Sequence, residues 1–277
     1  MPLPRSALPQ VERGGKMTGM ERDLTQKVKA QFGRQAERYA ASRPHAKGDS
    51  LDLMVEWAEP RPVDLVLDVA TGTGFTAFAF AALARRVVAT DLTANMLTQA
   101  RRLAGERGLT NLLFHLAEAE ALPFHGGVFD IATCRLAPHH FASAPRFLAE
   151  MHRVLRPGGR LVLCDSSSPE DAESFAWQQE AERTRDPSHV RNYSPTQWRR
   201  MTEEAGFHVD RVNTEHRTHL TFSDWVRTSG SDPATVMVLR ERFLKAPPAV
   251  RNAFQIQLDG EEIHFSWMLA IVLAHRG

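Results

Sequence analysis

The chain has 277 residues, 43% of them apolar and 24% charged, a balance typical of folded globular proteins that excludes disordered and fibrous classes. That length suits one large domain or two small ones and buries a sizeable core without covalent staples. Lys and Arg number 34 against 33 Asp and Glu, a formal net charge of +1, so no global basic field points to nucleic acid or to an anionic membrane surface.

Cys134 and Cys164 have neither CxxC nor Cys/His metal spacing. They are expected to be buried and inert, in a reducing cytoplasmic setting, with no metal bound. No apolar run approaches the ~20 residues of a membrane span, and no stable membrane association is expected. Residues 1–20 mix Pro2, Pro4, Pro9, Gly14, Gly15 and Gly19 with scattered charges; lacking an apolar h-region, they read as a disordered start.

Residues 21–42 carry Val28, Phe32, Ala36 and Tyr39 at spacings of three and four, one face of a helix. Ser42-Arg43-Pro44 ends it, because a residue before proline avoids helical angles. A short helix follows from Ser50 to Trp57. The period then changes. Leu65–Val69 and Arg86–Asp91 read as strands, with helices from Phe75 to Leu83 and from Ala94 to Arg107. Leu112–Phe114 and Phe129–Thr133 are further strands, Pro145–Leu155 a helix, and Arg160–Cys164 a strand. Strands alternating with helices of this length make βαβ units and a parallel sheet covered on both faces.

Beyond Asp165 the pattern loosens. Helices are expected over Pro169–Arg185, Thr196–Ala205, Ser223–Thr228 and Ala234–Leu244, one long irregular strand over Phe207–Leu220, and a last strand over Ser266–Ala274. There is no internal repeat. Four segments follow: 1–20, a helical lid at 21–62, a cofactor-binding core at 63–165, and a C-terminal part at 166–277 that completes the sheet and caps a substrate.

The first strand ends in Asp68-Val-Ala-Thr71-Gly72-Thr-Gly74 and opens a helix. The glycines allow close backbone approach, and the helix start supplies free N–H groups. Asp91 ends the next strand, where a carboxylate accepts ribose hydroxyls. Nicotinamide dinucleotide folds share this layout. Three details tilt away from them: Asp68 would repel a pyrophosphate but not a cationic ligand, the third fingerprint glycine is Ala77, and Ala117–Phe124 places an acid and N–H groups on the same edge, suited to an adenine.

VLDVATGTG, VVATDLTANML, AEAEALPF, FDIATCRLAPHHF and VLRPGGRLVL, in that order, resemble the class I S-adenosylmethionine-dependent methyltransferases, in the branch that includes the ubiquinone/menaquinone-biosynthesis C-methyltransferases. Glu182–Arg191 is similar to an uncharacterised bacterial subgroup of that superfamily. The resemblance implies an α/β, Rossmann-like, doubly wound sheet of seven strands, mostly parallel with an antiparallel last strand, plus N-terminal helices and a helical cap insertion. It implies S-adenosyl-L-methionine as cofactor. Asp68 and the backbone at Ala70 and Gly72, with Gly74, would hold its amino-acid end. Asp91 would take the ribose diol, Leu92 and Met96 the adenine face, Glu118 (often Asp in the family) and Ala119 its edge, and the Arg135 carbonyl its amine. Phe32, Tyr39 and His45 would belong to a lid over the cofactor.

His139 and His140 follow the fourth strand, on the edge where open α/β sheets bind ligands. Either serves as a general base or contacts the cofactor, or one caps the next helix while the other packs in the wall. His189 is a third candidate, in a segment where Arg183, Arg185 and Arg191 either bind an anionic substrate or pair with Glu180, Glu182 and Asp186. His216 and His219 lack supporting metal ligands. Phe222, Trp225, Met237, Leu239 and Phe243 suit a cap over a small, partly aromatic acceptor, or a packed subdomain. The expected function is methyl transfer to a small molecule, at oxygen or carbon. The alternatives are a nicotinamide-dependent reductase and a binding protein that uses the sulfonium only as a charge. Oligomeric state is not readable.

Overall fold

The computed structural model describes residues 18–40 and 48–277, with side chains in the first helix at 18, 19 and 21–33. Most of the expected disordered start, His45 and the Tyr39 side chain therefore lie outside the described residues. Helix α1 (Gly19–Ala40) and helix α2 (Asp49–Ala58) precede the sheet.

Strand β1 (Leu65–Val69) is buried along its whole length, as its unbroken apolar run requires of a central parallel strand. It pairs in parallel with β2 (Arg86–Asp91) on one side and β4 (Phe129–Arg135) on the other. β3 (Leu112–Leu116) joins beyond β2, and β5 (Leu155–Ser167) beyond β4. β9 (Glu262–Arg276) runs antiparallel between β5 and β6 (Phe207–Asn213), giving the order β3-β2-β1-β4-β5-β9-β6. The order of strand addition thus reverses between β1 and β4 while both run parallel, and the carboxyl ends of these two strands open a crevice there.

Both faces are covered. Helices α3 (Phe75–Ala81) and α2 pack Phe80, Ala77 and Met54 against Val66, Val87 and Ile131. Helices α5 (Ala144–Val154) and α7 (Pro195–Glu204) bring Phe147, Met151 and Trp198 onto Leu67, Ala132 and Leu163. Helix α4 (Ala94–Glu106) closes the β2–β3 side.

The seven-stranded path matches expectation, but nine strands form the described sheet. The Asn213 side-chain oxygen accepts N–H bonds from Glu215 and His216, both at 3.1 Å, a side-chain turn that breaks the expected single strand in two. Its second piece, β7 (Arg217–Thr221), and β8 (Gln257–Asp259) pair with the first half of β9, which begins earlier than the expected Ser266. Helices α6 (Ala172–Arg185), α8 (Phe222–Ser229), α9 (Pro233–Leu244) and α10 (Pro248–Ala253) enclose a second apolar cluster with that half-strand, centred on Trp177, Phe243, Phe254 and Trp267. Met237, expected in the cap, is 73% exposed. Both cysteines are free and buried, and burial pushes the Cys164 thiol up to about 12.

Candidate active site

The loop after β1 is held open by its own backbone. Ala70 (φ 54°), Gly72 (56°) and Gly74 (95°) all take left-handed angles. At Gly74 a Cβ would lie 2.5 Å from the Phe78 ring, so the turn into α3 excludes any larger residue. At Gly72 a Cβ would meet nothing within 4 Å, and only the angle demands glycine. Asp91 braces the loop: one carboxylate oxygen accepts the Gly72 N–H and the other the Thr93 N–H, both at 2.8 Å. Burial raises the Asp91 pKa against those bonds. The carboxylate still lines the crevice.

Asp68 sits elsewhere than its assignment requires. It is 1% exposed and does not line the cavity. Its oxygens accept the hydroxyls of Thr71 at 2.6 Å and Thr133 at 2.8 Å. Burial pushes its carboxyl up to about 6, opposed by those hydroxyls. Asp68 therefore supports the loop from beneath through Thr71, because strand alternation turns it into the layer below. Gly74 likewise shapes the loop without lining the cavity. Ala70, Gly72, Leu92, Met96, Glu118, Ala119 and Arg135 do line it. The Arg135 guanidinium reaches the Ser50 hydroxyl at 3.1 Å, and burial lowers its pKa.

The cavity measures about 1320 Å³ and extends past the loop under the C-terminal cluster, above the usual range for a single small ligand. Leu24, Thr25, Val28 and Phe32 of α1 contribute to its wall, and Trp225, Phe265, Trp267 and Leu220 line its far end. Of the residues proposed for an aromatic cap, Trp225 lines this chamber, whereas Phe222, Leu239 and Phe243 pack behind it.

Three imidazoles stand between the two halves. Leu136, at φ 53°, follows β4 and turns the chain into a short helical turn, Pro138–His140. Strain of this kind collects at functional sites. His139 Nδ1 lies 2.7 Å from Asp165 Oδ1, at the carboxyl end of β5. Asp165 is fully buried, and the His139 side chain is 17% exposed. Burial disfavours charge on His139, yet the charge and hydrogen bond of Asp165 overcome it and hold the imidazole above the ordinary histidine pKa.

His140 and His189 differ from His139. The Nδ1 of His140 is 3.1 Å from the Ser188 carbonyl, and Ser188 Oγ in turn donates to Asp186 at 2.6 Å. Burial and the neighbouring His139 push His140 down to about 3. His189 Nε2 is 3.4 Å from the Gln179 side-chain oxygen, and burial with both other histidines pushes it down to about 2. Burial and neighbouring charge thus disfavour the protonated form of both rings, whereas Asp165 favours it on His139. His140 also meets the Phe32 ring edge-on at 4.9 Å between centroids.

The Arg cluster resolves in part. Arg185 pairs with Glu182 at 3.2 Å, donates to the Trp225 carbonyl at 3.0 Å and stacks over the Trp225 ring at 4.9 Å, so its charge is used within the fold. His216 and His219 both line the cavity, and no metal-binding cluster occurs among the described residues. Asp165 was missed by sequence reasoning; an acid ending the strand next to a histidine-bearing edge was the available signal.

A methyltransferase-domain family profile matches residues 67–163. The chain is 32% identical over 242 residues to YcgJ of Bacillus subtilis (strain 168), named an uncharacterized methyltransferase, covering 87% of this chain and 95% of that protein. This chain belongs to the methyltransferase family. The crystal structure of YcgJ superposes with a TM-score of 0.76 at 31% identity, over 82% of this chain and 97% of that one. A ubiquinone/menaquinone biosynthesis C-methyltransferase, UbiE of Dinoroseobacter shibae, is 40% identical over 119 residues, 42% of this chain and 48% of that protein.

As a methyltransferase of this fold the protein uses S-adenosylmethionine, which displaces the nicotinamide alternative. The residues fit that cofactor. Asp91 offers a carboxylate to a diol at the cavity wall, Gly72 leaves open space above the loop, and the acids that line this edge, Asp91 and Glu118, favour a cationic group over a pyrophosphate. Among the described residues no helix is long and apolar enough to cross a membrane.

Proposed function

We propose that this methyltransferase modifies a hydroxyl or an activated carbon of a small, partly aromatic acceptor, with His139 as general base. Bound S-adenosylmethionine supplies a methyl carbon on a positively charged sulfur. Asp91 would hold the ribose, the Ala70–Gly72 backbone and the Arg135 carbonyl the amino-acid end, and Leu92, Met96, Glu118 and Ala119 the adenine. The core segment thereby holds the cofactor, α1 lines it, and the chamber of Trp225, Phe265 and Trp267 takes the acceptor ring.

The observation carrying this reading is the His139–Asp165 pair at the junction of the two halves. Asp165 accepts a hydrogen bond from Nδ1–H, which leaves the Nε2 lone pair free to take a proton. His139 Nε2 would take the acceptor proton as the methyl carbon leaves its sulfur, which becomes a neutral thioether, for the acceptor oxygen or carbon, and the imidazolium would then return that proton to solvent. His140 and His189, both buried, would exclude water around that proton.

The test is methyl transfer from labelled S-adenosylmethionine to naphthols, quinols, enols and thiols by the purified protein. Transfer to oxygen or carbon acceptors is expected, with His139→Gln reducing turnover by about 10²- to 10⁴-fold while cofactor affinity stays within about twofold. Equal losses of both would assign His139 to cofactor binding, and cofactor binding without transfer to any acceptor would favour the non-methylating alternative.

A further inference from the structure

Two polar side chains beside His139 are left over by the fold. Asn192 is fully buried, and neither its amide oxygen nor its nitrogen has a hydrogen-bond partner among the described residues. The Ser166 hydroxyl is in the same state. Both residues line the cavity. Burying an amide with donor and acceptor unpaired is costly, and native interiors rarely allow it.

The surrounding backbone is satisfied. Gln179 accepts the Asn192 N–H at 3.0 Å and donates to its carbonyl at 3.1 Å, and Ser167 Oγ donates to the Tyr193 carbonyl at 2.9 Å. The segment is therefore fixed by its backbone, while the side-chain ends of Ser166 and Asn192 lack partners, as do Asp165 Oδ2 and Arg191 Nε one residue before them. Ser167 and Tyr193 pair as a parallel bridge, a register that sets Ser166 beside Asn192. His139 grips both chains one residue earlier. Its ring holds Asp165, and its carbonyl accepts the Arg191 N–H at 3.1 Å. The unpaired hydroxyl and amide thus follow, on each chain, the residue that anchors the proposed base.

We infer that Ser166 and Asn192 form a specificity subsite that reads a second oxygen on the acceptor, on the carbon adjacent to the methylated position. An amide and a hydroxyl together offer donors and acceptors to a neutral hydroxyl or carbonyl, and the nearby Asp165 carboxylate disfavours an anionic group. The acceptor class is a vicinally dioxygenated ring, a catechol or an ortho-hydroxycarbonyl compound. This rests on the reading of His139 as base, and it extends that reading to the identity of the acceptor.

The probes are a vicinal naphthalenediol, an isomer with its hydroxyls on opposite rings, and a mononaphthol. Each is titrated calorimetrically into the full chain saturated with S-adenosylhomocysteine. Wild type should bind the vicinal diol about 10- to 100-fold tighter than its isomer. Asn192→Ala and Ser166→Ala should each bring the two within about threefold while leaving mononaphthol affinity unchanged. Equal affinity of both isomers for wild type, or discrimination that persists in both folded variants, overturns the subsite. Labelled methyl transfer separates the two claims. Selective binding of the vicinal diol without its methylation sinks the base assignment and keeps the subsite, whereas methylation of both isomers alike does the reverse.

Discussion

Replacing Asp165 by Asn alters the proposed base without changing its shape. The carboxylate is fully buried and 2.7 Å from His139 Nδ1, so solvent screens little of its effect. Asparagine removes the charge that holds the His139 pKa up against burial, and its amide N–H can donate to Nδ1, forcing the ring proton onto Nε2. The atom that should accept the acceptor proton is then blocked. Turnover should approach that of a base deletion, a loss of about 10²- to 10⁴-fold. In wild type, kcat/KM should rise with pH through a value above the ordinary histidine pKa of 6.5, because the base must be neutral. In Asp165→Asn that midpoint should move down, because burial then acts unopposed. Stopped-time methyl-transfer assays across pH, with calorimetric titration of the cofactor, measure both quantities. A variant with wild-type turnover and an unmoved midpoint would refute the pairing argument.

Other consequences follow from buried groups. Thr133→Val removes the hydroxyl 2.8 Å from Asp68 and should cost about 1–3 kcal/mol in urea unfolding by leaving a buried carboxylate oxygen unpaired. Gly74→Ala forces a Cβ to within 2.5 Å of the Phe78 ring at φ 95° and should destabilise by about 1–3 kcal/mol while weakening cofactor binding, read by thermal shift with and without S-adenosylmethionine. His140 is neutral in the fold down to about pH 3, against 6.5 for an ordinary histidine. Between those values the unfolded chain binds a proton that the native state refuses, so stability falls with acid. His140→Asn should remove about 1.4 kcal/mol per pH unit of that slope across the window, checked by denaturant titrations at several pH values.

The parallel half of the sheet was legible because strands buried on both faces leave unbroken apolar runs. Leu65–Val69 is the clearest case, followed at once by the glycine turn and, one strand later, by Asp91. The C-terminal half was harder to read. Arg217–Thr221 has no apolar alternation, and it is a strand only because β9 extends far enough to pair with it. Short-range pattern cannot report a partner that lies 43 to 51 residues away in sequence.

The candidate site divided in the same way. Loop residues at strand ends were found because topology puts strand carboxyl ends at the crevice. The position of Asp68 next to the loop is visible in the sequence and points to the ligand, whereas the two threonine hydroxyls that occupy its carboxylate are not visible there. His139 and His140 are adjacent and chemically identical. What separates them is the helical turn that aims one ring at Asp165 and the other at Ser188, and Asp165 and Asn192 acquire meaning only through that contact.

Catalysis by His139 requires it to be the basic imidazole of the three that stand between the two halves of the cavity. Titration of ¹⁵N-labelled histidines by NMR, with S-adenosylhomocysteine bound, tests it directly. One cavity imidazole, absent in His139→Gln, should titrate above 6.5 with its neutral-form proton on Nδ1, while His140 and His189 stay neutral to below about pH 4. A His139 that titrates below the other two, or that carries its neutral-form proton on Nε2, would contradict it.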